Sequence, residues 1–198
     1  MTDDIFKQLS QRSSDEEATE NRRIHEVSDE LRRRCQLYDA QLRGSKEDVG
    51  LFEIERRITE EYAKEKGLWM SYADISHLGV PGPSGNENDL YVSNDIVFKV
   101  NNLLNCGSVF RFLDRITWHN ILFYDTAYTL LGFTGFEGRT IMPVIQQKLI
   151  KNAQPASQVM IDTYMAAIGF EKTSEVGHFS NGEYEAWDLL PRNVLVIS

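Results

Sequence analysis

Apolar residues Ile24, Val27, Leu31, Cys35, Tyr38 and Leu42 recur at steps of three and four. That spacing puts them on one side of an α-helix. Gly44 predicts its end, since glycine accepts the left-handed conformation that closes a helix. Ser45 and Asp48 form a candidate capping box, and Phe52, Ile54, Ile58 and Tyr62 predict a second helix running to Gly67. Two such stripes predict a hairpin that covers a neighbouring surface. A dimerising coiled coil is the weaker reading, because the few heptads show no clear e/g charge pairing. Residues 1–19 have no apolar period and predict a mobile segment.

After Gly67 the pattern changes. "LYVSN" and "IVFKVNN" are β-branched or aromatic runs around the turn signal Ser93-Asn94-Asp95. "SVFRFLDRITWHNILF" has helical spacing through Phe110, Leu113, Ile116, Trp118 and Ile121. "YTLLGFTGF" and "RTIMPVIQQKL" predict two further strands around a Gly135–Gly138 turn. "ASQVMIDTYMAAIGF" predicts a helix starting at Ala156-Ser157 and ending near Gly169. Neither a βαβ alternation nor an internal repeat is present, so the fold class is α+β. The expected organisation is a mobile segment at 1–19, a charged helical hairpin at 20–67 and a second domain at 68–198.

Composition sharpens that division. Of the 51 charged residues, 30 fall within residues 1–67. Mean hydropathy is −0.38, and no apolar run approaches the roughly 18 residues of a membrane span. The acidic start "MTDDIFKQLSQRSSDEE" has no apolar signal core. A net charge of −9 argues against broad nucleic-acid binding. Cys35 and Cys106 stand far apart, without the spacing of a zinc site or a disulfide framework. These features predict a reduced, cytoplasmic protein with no membrane or direct nucleic-acid partner.

Four features carry candidate chemistry. "GVPGPSGNENDLY" contains Gly79, Gly82, Ser84 and Gly85; glycines let backbone N–H groups approach phosphate oxygens, although such loops are usually just turns. Lys99 interrupts the apolar run "IVFKV", where an exposed, snorkelling lysine is the bland alternative. Asp114 follows 15 residues later, on a helix, where a carboxylate can hold a lysine ammonium. Finally, Asp188 and Asn193 have the D-L-x-x-x-N spacing that suits proton acceptance from a hydroxyl and magnesium ligation. The order and separations are jointly more specific than any member. The G-x-x-x-x-G-K-[ST] loop, zinc-type histidine pairs and a G-x-S-x-G elbow are absent.

"PGPSGNENDLY", "FKVNNLLN", "LLGFTGF", "IDTYMAAIGF" and "WDLLPRNVL" together resemble the kinase-like domain of polyvalent proteins from bacterial plasmids, phages and conjugative elements. The resemblance covers about residues 68–198. It implies a small lobe, made of an antiparallel sheet with one αC-type helix, and a partial helical large lobe. It also implies ATP and Mg2+ as cofactors and a protein hydroxyl as phosphoryl acceptor. Lys99 would contact the nucleotide phosphates, with Gly79, Gly82, Ser84, Gly85 and Asp114 around the nucleotide. Asp188 would be the catalytic base and Asn193 a metal ligand.

This sequence departs from the kinase pattern in several places. Its glycine loop is GxxGxxG, Asp114 replaces a longer Glu, and Ala186-Trp187 stands where His-Arg is usual. A DFG-type aspartate, about 15–20 residues beyond the catalytic Asp, would lie past Ser198. The expectation is therefore a truncated kinase, inactive or weakly active. The alternative is a non-catalytic nucleotide-binding pseudokinase or an interaction module of a mobile element.

Overall fold

The computed structural model describes residues 15–42, 50–135 and 141–197. The expected Gly44 terminus, the Ser45–Asp48 capping box, the Gly138 side of the turn and residues 1–14 lie outside that range. The first helix, α1 (Asp15–Leu42), begins earlier than its apolar stripe, so 15–19 are helical rather than part of a mobile segment. The sequence of that first turn, Asp15-Glu16-Glu17-Ala18, carries no apolar period to announce it. Helix α2 (Leu51–Glu65) follows and ends before Gly67, whose φ of 67° suits glycine. A short helix, α3 (Tyr72–Ser76), starts with a Ser71/Asp74 capping box that the sequence reading did not register.

Then come β1 (Val80–Pro81), β2 (Asn88–Ser93), β3 (Ile96–Asn101), α4 (Val109–Leu122), β4 (Thr129–Thr134) and β5 (Met142–Lys148). The five strands form one antiparallel sheet in the order β1-β2-β3-β5-β4. Asn94 turns β2 into β3 at φ 53°, which asparagine tolerates. Gly132 lies at an irregularity in the β4–β5 register, against the Leu68 carbonyl; a Cβ there would collide with backbone.

Strand alternation, reset by the irregularity between Leu130 and Gly132, puts Leu130, Phe133 and Ile145 on one side of the sheet. There they pack with Ile24, Leu31, Ile58, Phe112, Leu113 and Ile116 from α1, α2 and α4. The opposite side buries Val100, Met142 and Val144 under Ile75 of α3. The expected boundary near Gly67 is thus not a packing boundary. The helical hairpin and the sheet share one core, and the described residues through Leu149 form one compact unit.

From Ile150 onward the chain forms a second unit. Strand β6 (Ala153–Pro155) pairs antiparallel with β10 (Leu195–Ile197). Helix α5 (Gln158–Ala167) is capped by Ser157, which accepts from the Met160 amide at 3.3 Å. Strands β7 (Glu171–Lys172), β8 (Phe179–Ser180) and β9 (Glu185–Ala186) make a small antiparallel sheet. The sequence pattern predicts no element beyond Gly169, because two-residue strands carry no period to detect. Among the described residues no helix is long and apolar enough to cross a membrane. The architecture is mixed α+β with an antiparallel sheet and several helices.

Candidate active site

The glycine-rich stretch forms the β1–β2 hairpin. Gly82 donates its N–H to the Leu90 carbonyl at 2.8 Å, and Gly85 donates to Asn88 at 3.1 Å. A Cβ on Gly85 would meet nothing within 4 Å, so the tip around Ser84 and Gly85 is open. Gly79 serves a different end: it lies against the Val92 carbonyl, where any side chain would collide. Its need for glycine is fully explained by strand approach. Glu87 anchors the far side of the loop. Its carbonyl accepts from the Asn102 amide at 2.9 Å, and its carboxylate faces Asn105 and the Arg115 guanidinium, the latter at 3.5 Å.

Lys99 lies mid-strand in β3, opposite Leu90 of β2 and Ile145 of β5. Its ammonium donates to the Tyr128 hydroxyl at 2.9 Å and lies 4.8 Å from the centre of that ring. Tyr128 is itself fixed by buried Asn120, which accepts from its N–H at 2.7 Å and donates to its carbonyl at 2.8 Å. The same tyrosine borders a cavity of about 730 Å³, with Ile96, Tyr124, Gln147 and Lys148 among its other walls.

His119 stacks obliquely against Tyr128 at 4.5 Å, and its Nε2 lies 3.1 Å from the Thr126 carbonyl. Burial pushes this imidazole down to about 4, and the charges of Lys99 and Arg115 push the same way, against the Thr126 hydrogen bond. It is therefore neutral at pH 7.

The expected Lys99–Asp114 pair does not form. Asp114 instead accepts both hydrogen bonds from Arg32 of α1, at 3.1 and 2.9 Å, with the guanidinium 4.6 Å over Phe110. The helical hairpin supplies the partner, through an arginine that the sequence reading did not single out. The next residue on α4, Arg115, reaches the glycine loop through Glu87. Buried Glu55 of α2 accepts from the Ser108 hydroxyl at 2.9 Å and from the Val109 amide. A carboxylate against the first N–H of α4 complements the positive end of the helix dipole.

In the second unit Asp188 adopts φ 61°, left-handed for a residue with a Cβ. Its carbonyl accepts from Asn193 Nδ2 at 2.9 Å and from the Leu190 amide at 2.9 Å. Leu189 donates its amide to the Gly177 carbonyl at 3.0 Å, and Gly177 takes φ 73° under the Leu190 side chain. The Asp188 carboxylate is mostly exposed and lies 3.3 Å from Arg192. Because Asn193 spends its N–H on backbone, its Oδ1 is the end left for a hard cation. The structure thus brings Asp188 and Asn193 together through the Asp188 backbone carbonyl.

Tyr128, Asn120, Arg115, His119 and Glu87 were not anticipated. Helical register could have placed Arg115 and His119, at i and i+4, on a common face of α4. Nothing in the pattern marked Tyr128 or Asn120. Among the described residues no group of three His, Cys, Asp or Glu side chains could hold a metal ion.

Comparison with curated proteins finds no match, and comparison with solved structures finds none either. Residues 53–196 match the family model described as a serine/threonine/tyrosine kinase found in polyvalent proteins. The match takes in the glycine hairpin, Lys99, Asp188 and Asn193, and it begins within α2. On that match the chain belongs to the kinase family of polyvalent proteins.

Proposed function

We propose that this chain binds ATP and carries out phosphoryl transfer to a protein hydroxyl. The observation that carries the reading is Lys99 at the centre of β3, one strand from the open glycine hairpin, with a helix joining β3 to β4. The strand order β1-β2-β3-β5-β4 with that single helix supports assigning the first unit as the small lobe of a kinase. Lys99 is the localised positive charge for the nucleotide phosphates, and the backbone around Gly82, Ser84 and Gly85 offers N–H donors.

Asp188 accepts the proton of the attacking hydroxyl. Its left-handed backbone is held by two hydrogen bonds into its carbonyl and one from the Leu189 amide, which fixes where the side chain leaves the chain. Magnesium, when bound, neutralises charge on the phosphates. The oxygen donor this loop offers it is Asn193 Oδ1, a hard ligand of the kind Mg2+ takes together with phosphate oxygens.

A second reading, a nucleotide-binding module without transfer, draws on one observation: Lys99 is held by a tyrosine hydroxyl rather than by a carboxylate. Transfer from γ-labelled ATP, compared between the chain and Asp188→Asn, separates the two. Labelling lost in Asp188→Asn supports the enzyme; nucleotide binding without Asp188-dependent labelling supports the module.

A further inference from the structure

His178 precedes β8, and its side chain is only 14% exposed. Both ring nitrogens are buried without a hydrogen-bond partner. Each faces a carboxylate just beyond bonding distance: Nδ1 is 3.7 Å from Glu175 and Nε2 is 3.8 Å from Glu185 of β9. The ring stacks on Trp187, with centroids 5.6 Å apart and planes 18° apart. Trp187 directly precedes Asp188, and the neighbouring Gly177 carbonyl receives the Leu189 amide. The ring thus touches the Asp188 loop from one side while two acids face its edges. Of the other charges on these elements, Lys172 pairs with Asp162, Arg192 with Asp188 and Glu183 with the Tyr184 hydroxyl, while Glu171 of β7 is exposed.

A neutral imidazole carries one N–H and can serve only one of the two carboxylates; the imidazolium carries two and can serve both. We propose that His178 is a positioning residue that couples proton uptake to the order of the Asp188 loop. Protonated, it donates to Glu175 and Glu185, tying the 173–178 turn to β9 and seating Trp187 against the ring. Neutral, it leaves one carboxylate unserved, and the Trp187–Leu190 segment is held by its backbone hydrogen bonds alone. The role rests on reading Asp188 as the base, but its test needs no nucleotide, so either idea can fail alone.

The test is Trp187 emission, isolated by subtracting the spectrum of Trp187→Phe from that of the intact chain. A protonated imidazole stacked on an indole quenches it, so the difference spectrum should lose intensity from pH 8 to pH 5, and stay flat in His178→Gln. In parallel, exchange of the Leu189 amide, corrected for its intrinsic pH dependence, should slow over the same range. A Glu175→Gln, Glu185→Gln double variant keeps the ring and its indole but should lose that slowing. Flat emission in the intact chain would overturn the proposal. So would the same quenching in His178→Gln, or undiminished slowing in the double variant.

Discussion

Lys99 and Asp188 are held by different physics. Around Lys99 the chain is anchored by packing: Leu31, Leu113, Phe133, Met142 and Val144 are fully buried, and β3 is hydrogen-bonded on both sides. Around Asp188 no residue from 181 to 196 is buried, and position is set by left-handed backbone and short-range hydrogen bonds. A packed strand resists change because every displaced methylene is felt across the core. A hydrogen-bonded loop is cheaper to reorganise and responds to charge, which is the usual property of segments that must adapt during a reaction.

The contrast can be broken most forcefully in the core. Phe133→Ala should cost about 3–5 kcal/mol, from lost burial and the cavity left behind. Leu195→Ala, at an exposed position of β10, should stay within about 0.5 kcal/mol. Denaturant midpoints measure both, and equal losses would erase the distinction between the two units.

Next in size is a pH effect. His119 has a folded-state value of about 4, against about 6.5 when unfolded. The unfolded chain therefore binds more protons between those values. The stability His119 contributes is full above pH 6.5 and is lost as pH falls toward 4, by about 3 kcal/mol. Midpoints at pH 7 and pH 4.5 should converge in His119→Gln, while the intact chain loses stability at the lower pH.

Smaller again is Glu55→Ala, which strips the Ser108 hydroxyl and the Val109 amide of their buried acceptor at a cost of about 1–3 kcal/mol. Thermal melting reads it. The smallest effect sharpens the comparison from the other side. Gly177→Ala forces a Cβ into left-handed backbone at about 1–2 kcal/mol. It should speed exchange at the Leu189 amide and leave amides of β3 and β5 unchanged.

The same contrast explains what could be read from the sequence. Helices α1, α2, α4 and α5 and strands β2 to β5 carry apolar stripes of period 3.6 or 2, because one face of each meets a core. The boundary expected at Gly67 failed because charge density marks the outer face of α1 and α2. It says nothing of the inner face, which completes the sheet's core. Strands β7 to β9 are two residues long and the αL turn at Asp188 is set by short-range hydrogen bonds, so neither leaves a period. In the candidate site, Asp188 and Asn193 were legible because their contact is local, five residues apart. Lys99 was legible as a charge within a strand. Its partner was not: Tyr128 is 29 residues distant, and Asp114 was claimed by Arg32, 82 residues away. Long-range polar pairing depends on how elements cross, which residue spacing does not encode.

The central claim is that Lys99 anchors nucleotide phosphates, and titration of ATP into the intact chain and Lys99→Met tests it most directly. Loss of a charge-assisted contact should weaken binding by about 1.5–3 kcal/mol, or roughly 10- to 150-fold. The same substitution should barely change affinity for adenosine, which has no phosphate. Equal ATP affinity in the two chains would contradict the account.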